Sequence, residues 1–232
     1  MDTYCVIKLL HYIVGDLMLR ADMHIHTKYS YSAKGKRECW NEPKKILKMA
    51  AKKRLDIIAI TDHHTIRGGL EVKKLNKSKD LTVIVGSELR TNFGEFIAYN
   101  LNEEIETHDF YEAYDKAKSQ GAVITIPHPF DKFRRSKLNE EGRNFLVKRK
   151  VMIEGINART WNRYNKKAQA FAKKHRLRMT AGSDAHLLWE IGGAITYYKS
   201  VDDIGKPQGI KLETFPYRCL LPFAYTAVIK RI

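Results

Sequence analysis

The sequence predicts an α/β protein with a mostly parallel sheet. Three observations lead there. Short apolar runs rich in isoleucine and valine recur along the chain, and segments with helix-spaced apolar residues separate them. The chain has 232 residues, 44% of them hydrophobic, which suits one domain with a full core. No linker, internal repeat or low-complexity stretch divides it. About seven strand-helix units favour an α/β barrel, with an open doubly wound sheet as the other arrangement.

The elements follow in order. A strand is expected over residues 21–26, then a loop through Trp40. Asn41 is placed to cap a helix and Pro43 suits its first turn. Residues 44–54 carry an apolar face of Ile46, Leu47, Met49 and Ala50. The isoleucine-rich run 55–61 reads as a strand buried on both faces. Residues 68–77 are helical in character, 81–86 form a strand, and 95–101 are extended. Helical spacing returns at Phe110, Ala113, Tyr114 and Ala117, with Thr107 as cap and Gly121 as stop. Strands are expected over 122–126 and 151–156. Ala168, Phe171 and Ala172 mark a helix that His175 and Arg176 end, and strands over 177–181 and 194–198 follow.

Residues 1–17 read as a peripheral extension, residues 18–205 as the catalytic domain, and residues 206–232 as an appendage packed on it. The apolar stretch near the start is interrupted by Lys8 and His11, and no small-residue cleavage site follows, so it does not read as a signal peptide. No apolar run reaches the ~20 residues of a membrane helix. The three cysteines, Cys5, Cys39 and Cys219, form no CxxC pair, which fits a reduced cytoplasm. The formal net charge is +16. That charge suits phosphate-rich ligands, but the basic residues are spread along the chain, as on an ordinary lysine-rich surface.

The chemistry-bearing residues share one placement: each lies where an expected strand ends. In α/β barrels that edge carries the active site. His24 and His26, two apart on a strand, point to the same face while Ile25 turns to apolar packing. Thr61-Asp62-His63-His64-Thr65 follows the isoleucine-rich strand; a helix cap would explain Asp62, but not the histidines beside it. Glu88 follows Gly86-Ser87, and a carboxylate there can bridge two cations. His128 stands between Pro127 and Pro129, which fix its neighbours' dihedrals and keep the residue before each proline extended. Asp184 and His186 in Gly182-Ser183-Asp184-Ala185-His186 repeat the same-face spacing. Each signal alone would pass for a surface or turn residue. Together they describe a site with nitrogen and carboxylate donors and no thiolate, which suits Zn²⁺, Mn²⁺ or Fe²⁺. So many donors exceed one tetrahedral ion, so a cluster is implied.

This ordered set, HxH, TDHH, GSE, PHP and GSDAH, resembles the PHP (polymerase and histidinol phosphatase) family over roughly residues 21–198. The resemblance implies a single-domain, distorted (β/α)7 barrel with two or three divalent ions and phosphoester hydrolysis. By position, His24, His26, Glu88 and Asp184 would hold the first ion. Glu88 would bridge to a second held by His128, and His63 and His186 would hold a third. Two positions depart from the family pattern. Tyr31 stands where an acidic residue or His usually completes the third site, and Glu95 stands where His is usual. Glu95 can still ligate, with a preference for harder ions such as Mn²⁺.

The resemblance implies a phosphomonoesterase acting on a nucleotide or similar small phosphorylated metabolite, through a hydroxide bridging the metals. His63, Asp184 and His186 are then the catalytic candidates, with His63 or His186 protonating the leaving oxygen where the third position is empty. Arg159, Arg134, Arg135 and Asn157, near the same edge, are candidates for the substrate phosphate. Two rivals remain at this level: a nuclease acting on DNA or RNA ends, and a non-catalytic module binding nucleic acid or protein. No attached nucleic-acid module favours the former.

Overall fold

A computed structural model of the protein describes residues 18–32, 35–134 and 139–213. Its core is a nine-stranded sheet in the order β7-β6-β5-β4-β3-β2-β1-β8-β9. The strands are β1 (Leu19–Ile25), β2 (Ile57–Ile60), β3 (Thr82–Thr91), β4 (Gly94–Tyr99), β5 (Val123–Ile126), β6 (Met152–Asn157), β7 (Met179–Gly182), β8 (Ala194–Tyr198) and β9 (Gly209–Leu212). Helices α1 (Pro43–Lys52), α2 (Arg67–Leu75), α3 (Phe110–Ser119), α4 (Glu140–Arg149) and α5 (Asn162–His175) lie between strands.

β1, β2 and β3 pair in parallel, as do β5, β6 and β7. β4 joins the two groups by antiparallel pairing on both sides, and β8 pairs antiparallel with β1 and β9. Just past β7 the chain returns to β1. Ala185 bridges Ile25 in parallel, with His26 N donating to Ala185 O at 3.1 Å and Ala185 N to His24 O at 3.3 Å. This bridge brings the two outer groups of strands together into a nearly closed barrel. β2 is buried at every position, as its Ile-Ile-Ala-Ile sequence requires of a strand covered on both faces.

The local signals hold in part. α1 starts at Pro43 and buries Ile46 and Ala50, but its cap is Glu42 and not Asn41. Asn41 is buried, and its Nδ2 donates to the carbonyls of His26 (3.1 Å) and Ala185 (3.3 Å). The cap of α3 is Asp109, which accepts from Glu112 N, and not Thr107. Gly121, at φ +75°, does follow that helix. α4 was not legible in the sequence: among its residues only Gly142 and Leu146 are buried, which leaves too few apolar positions to set a period. β9 lies within the expected C-terminal appendage and extends the sheet. Residues 1–17 and the tail beyond 213, with Cys5 and Cys219, lie outside the described residues. Among the described residues no helix is long and apolar enough to cross a membrane.

Candidate metal centre

The strand ends bring one set of buried side chains together. β1 delivers His24 and His26 with Nε2 atoms 3.1 Å apart. Glu88 Oε2, from the part of β3 that runs past β2, lies 3.2 Å from His24 Nε2 and 3.3 Å from His26 Nε2. Asp184 Oδ1 stands 3.7 Å and 3.4 Å from the same two nitrogens. The other Glu88 oxygen, Oε1, lies 3.1 Å from His128 Nε2, and Glu95 Oε2 is 3.8 Å from that nitrogen. His63 Nδ1 is 3.4 Å from Glu88 Oε2, and His186 Nδ1 is 3.5 Å from Asp184 Oδ1.

Backbone strain helps to place these groups. Asp184 has φ +55° and His128 φ +31°, a region that non-glycine residues seldom adopt. The extended conformation expected of His128 before Pro129 is therefore corrected. Its N–H donates to Glu154 Oε2 at 2.8 Å, and its carbonyl accepts from Asp131 N at 3.1 Å, which together hold the turn. Asp62 caps no helix. It accepts from both the N–H and the hydroxyl of Thr27, each at 2.6 Å, and ties the β1 loop to the β2 loop. Gly68 in α2 is required by this contact, because a Cβ there would lie 2.0 Å from Asp62 Oδ2.

The donor set fits divalent cations, for a reason visible in the geometry. Glu154 Oε1 lies 3.1 Å from His24 Nδ1, and a carboxylate can only accept, so the His24 proton sits on Nδ1. The His24 Nε2 lone pair then faces His26 Nε2 and two carboxylates. Such a convergence of lone pairs is costly unless a cation or protons fill it. Two buried atoms in the cluster, His63 Nδ1 and Asp184 Oδ1, have no hydrogen-bond partner among the described residues. Three donor groups have atoms within 4.8 Å of one another: His24–His26–Glu88, His26–Asp184–His186 and His63–Glu88–Glu95. No such group among the described residues contains both His63 and His186; their ring centroids lie 4.9 Å and 4.5 Å from that of His26.

The electrostatics point the same way. Burial works against charge on His24, but Glu88, Asp184 and Glu154 overcome it and hold the imidazole well above its ordinary range. Burial raises Glu88, yet His63 and His24 hold its carboxyl well below the usual range. Burial likewise opposes charge on Asp184, while Arg134 and His24 keep it ionised. Burial holds His63 and His186 well below the usual histidine range.

The remaining candidates are partly gathered in. The Arg134 guanidinium contacts the Asp184 carboxylate. Arg159 is buried at the same edge, with Nε 3.5 Å from Glu190 Oε1. Asn157 Nδ2 donates to Glu154 Oε2 at 2.9 Å and to Asp184 Oδ2 at 3.3 Å. Arg135 lies outside the described residues. Tyr31 is 42% exposed and lines a cavity together with His63.

Three contributors were missed. Glu154 supports His24, His128 and Asn157 at once. A lone glutamate inside the apolar strand Met-Ile-Glu-Gly-Ile-Asn was the available signal. Glu38, buried in the loop after β1, brings Oε2 to 3.3 Å from His63 Nε2, and nothing in its sequence context marks it. Ser30 Oγ lies 3.1 Å from His26 Nδ1 and accepts from His63 N.

A family model described as PHP-associated matches residues 162–206. The uncharacterized protein MJ0417 of Methanocaldococcus jannaschii is 36% identical over 203 residues, covering 85% of this chain and 77% of that protein. A two-domain protein of Bacteroides vulgatus, described as containing a predicted PHP-like metal-dependent phosphoesterase, superposes with a TM-score of 0.70 at 20% identity. That match covers 90% of this chain and 70% of the other. PsfC of Pseudomonas syringae gives a TM-score of 0.67 at 17% identity, covering 91% and 99%. With its barrel, its strand-end donors and these relatives, the chain belongs to the PHP family, whose fold and candidate metal centre it carries.

Proposed function

We propose that the protein is a metal-dependent phosphoesterase that hydrolyses small phosphomonoesters, with nucleotides as the favoured class. The observation that carries this reading is the convergence of His24 Nε2, His26 Nε2, Glu88 and Asp184 at one strand edge, with the Arg134 guanidinium beside them. His24, His26, Glu88 and Asp184 would hold one divalent ion, and Glu88 Oε1, His128 and Glu95 a second. When bound, such ions supply a nucleophile from water at neutral pH and neutralise charge on phosphoryl oxygens.

The chain's own residues do the rest. Glu154 orients His24 and the His128 backbone, so both imidazoles present fixed nitrogens. Arg134, now against Asp184, is placed to take phosphoryl oxygens through its planar fork. His63 and His186, which burial holds well below the usual histidine range, suit ligation better than proton donation.

A cavity of about 600 Å³ opens beside His63. Lys28, Arg37 and Arg67 line it together with Tyr29 and Tyr31. Cations beside aromatic rings suit a phosphorylated ligand with a planar base, which supports a nucleotide over a sugar phosphate. The test is phosphate release from nucleoside mono- and bisphosphates, sugar phosphates and end-labelled oligonucleotides with Mn²⁺ present. Turnover of nucleotides that varies little with salt supports the reading. Turnover confined to oligonucleotides and falling steeply with salt would replace it with the nuclease reading.

A further inference from the structure

The third cation position of this site has an unusual set of neighbours. Tyr31, in the loop after β1, is exposed. The same loop instead sends in Glu38, whose side chain is 7% exposed and whose Oε2 lies 3.3 Å from His63 Nε2. Arg90 meets that same oxygen, with Nη2 donating to Glu38 Oε2 at 2.9 Å. Its Nε donates to Glu95 Oε1 at 3.0 Å, and its Nη1 donates to the Tyr31 carbonyl at 3.3 Å.

This arrangement is built into the sheet. Arg90 on β3 pairs directly across from Glu95 on β4, so the register of one hairpin sets one arm of the bridge. Arg90 N also donates to His64 Nε2 at 3.1 Å, and its carbonyl lies 3.0 Å from His108 Nδ1, which fixes the backbone behind it. Two hydrogen bonds of the fork therefore go to the carboxylates grouped with His63. A guanidinium is always charged, and its donor fork matches two carboxylates at once. A divalent ion bound by His63 and Glu38 would have to share those carboxylates with a fixed positive charge.

We propose that the Arg90 guanidinium takes the place of the third metal ion, so that the protein holds two divalent ions and one side-chain cation. The proposal rests on the metal reading above and adds to it the count of ions. In it Arg90 is a positioning residue: it fixes Glu95 and Glu38 and supplies charge next to the bridging Glu88.

The experiment is equilibrium dialysis of the full chain against excess Mn²⁺, with metal content measured per chain for native protein, Glu38→Gln and Arg90→Gln. Two ions for native protein, two for E38Q and three for R90Q are expected. The gain in R90Q follows because Glu38, Glu95 and His63 would then surround a position without its cation. Three ions in native protein would overturn the proposal while leaving the metal reading intact. So would a folded R90Q that stays at two, or an E38Q that loses an ion. If R90Q does not fold, native protein and E38Q decide between the two counts. Fewer than two ions in native protein would overturn the metal reading itself, and the proposal with it.

Discussion

Replacing Glu154 by Gln alters hydrogen bonding at the centre of the site while leaving volume and every proposed ligand unchanged. Both carboxylate oxygens are in use. Oε1 faces His24 Nδ1 at 3.1 Å, and Oε2 accepts from His128 N at 2.8 Å and Asn157 Nδ2 at 2.9 Å. A carboxamide accepts through one atom only. With its amide nitrogen at the Oε1 position, His24 must carry its proton on Nε2, where the first ion would bind. With the nitrogen at the Oε2 position, two buried donors lose their acceptor, at about 1–3 kcal/mol for each unsatisfied group. Either orientation weakens the first or second ion. Loss of such a supporting partner costs about 10–100-fold in metal affinity, or about 1.4–2.7 kcal/mol. The assay is competition for Mn²⁺ against a chelator of known strength, with circular dichroism to confirm folding. A folded E154Q that binds Mn²⁺ within twofold of native protein would refute this account of how His24 is held.

Three other predictions follow from the same geometry. Gly68→Ala should lower stability by about 1–3 kcal/mol, read as a lower urea midpoint, because the new Cβ meets Asp62 and Thr27 side chains. Cys39, whose thiol burial pushes well above its ordinary range and which donates to the carbonyls of His26 and His186, should resist iodoacetamide in native protein; peptide mapping should find it modified only after denaturant is added. Acid should strip metal as protons compete for the histidines. The proposed ligands His24 and His26 are held above the ordinary histidine range near ~6.5, because Glu88 and Asp184 outweigh burial, so metal should be lost as the pH falls through that range. Metal content measured across a pH series at limiting Mn²⁺ checks this, and full metal content retained well below that range would count against it.

How much of this was legible in the sequence depends on distance along the chain. Most helices and every strand but β9 were, because apolar period is a local signal, and β2 with its four buried positions is the clearest case. The histidine pair of β1 was legible for the same reason, since alternation alone puts His24 and His26 on one face. The motif order added Glu88, His128, Asp184 and His186. What escaped was set by contacts far apart in sequence. Glu154 acts on His24 from 130 residues away, and Asn41 reaches Ala185 across 144. Thr107 lost its capping role to Asp109 because loop geometry decides which of two nearby side chains meets the helix start. His128 escaped the proline rule because Glu154 holds its backbone in a conformation that proline alone disfavours.

The central claim is that buried nitrogen and carboxylate donors at one barrel edge hold metal ions that hydrolyse phosphoesters. It is tested most directly by stripping the protein with chelator, restoring Mn²⁺ stepwise, and recording phosphate release from a nucleotide at each level of occupancy. The account predicts no turnover in the stripped protein and turnover that rises with bound metal, lost again in Asp184→Asn. Equal turnover with and without metal, or none in fully loaded protein given Mn²⁺, Zn²⁺ and Fe²⁺ in turn, would contradict it.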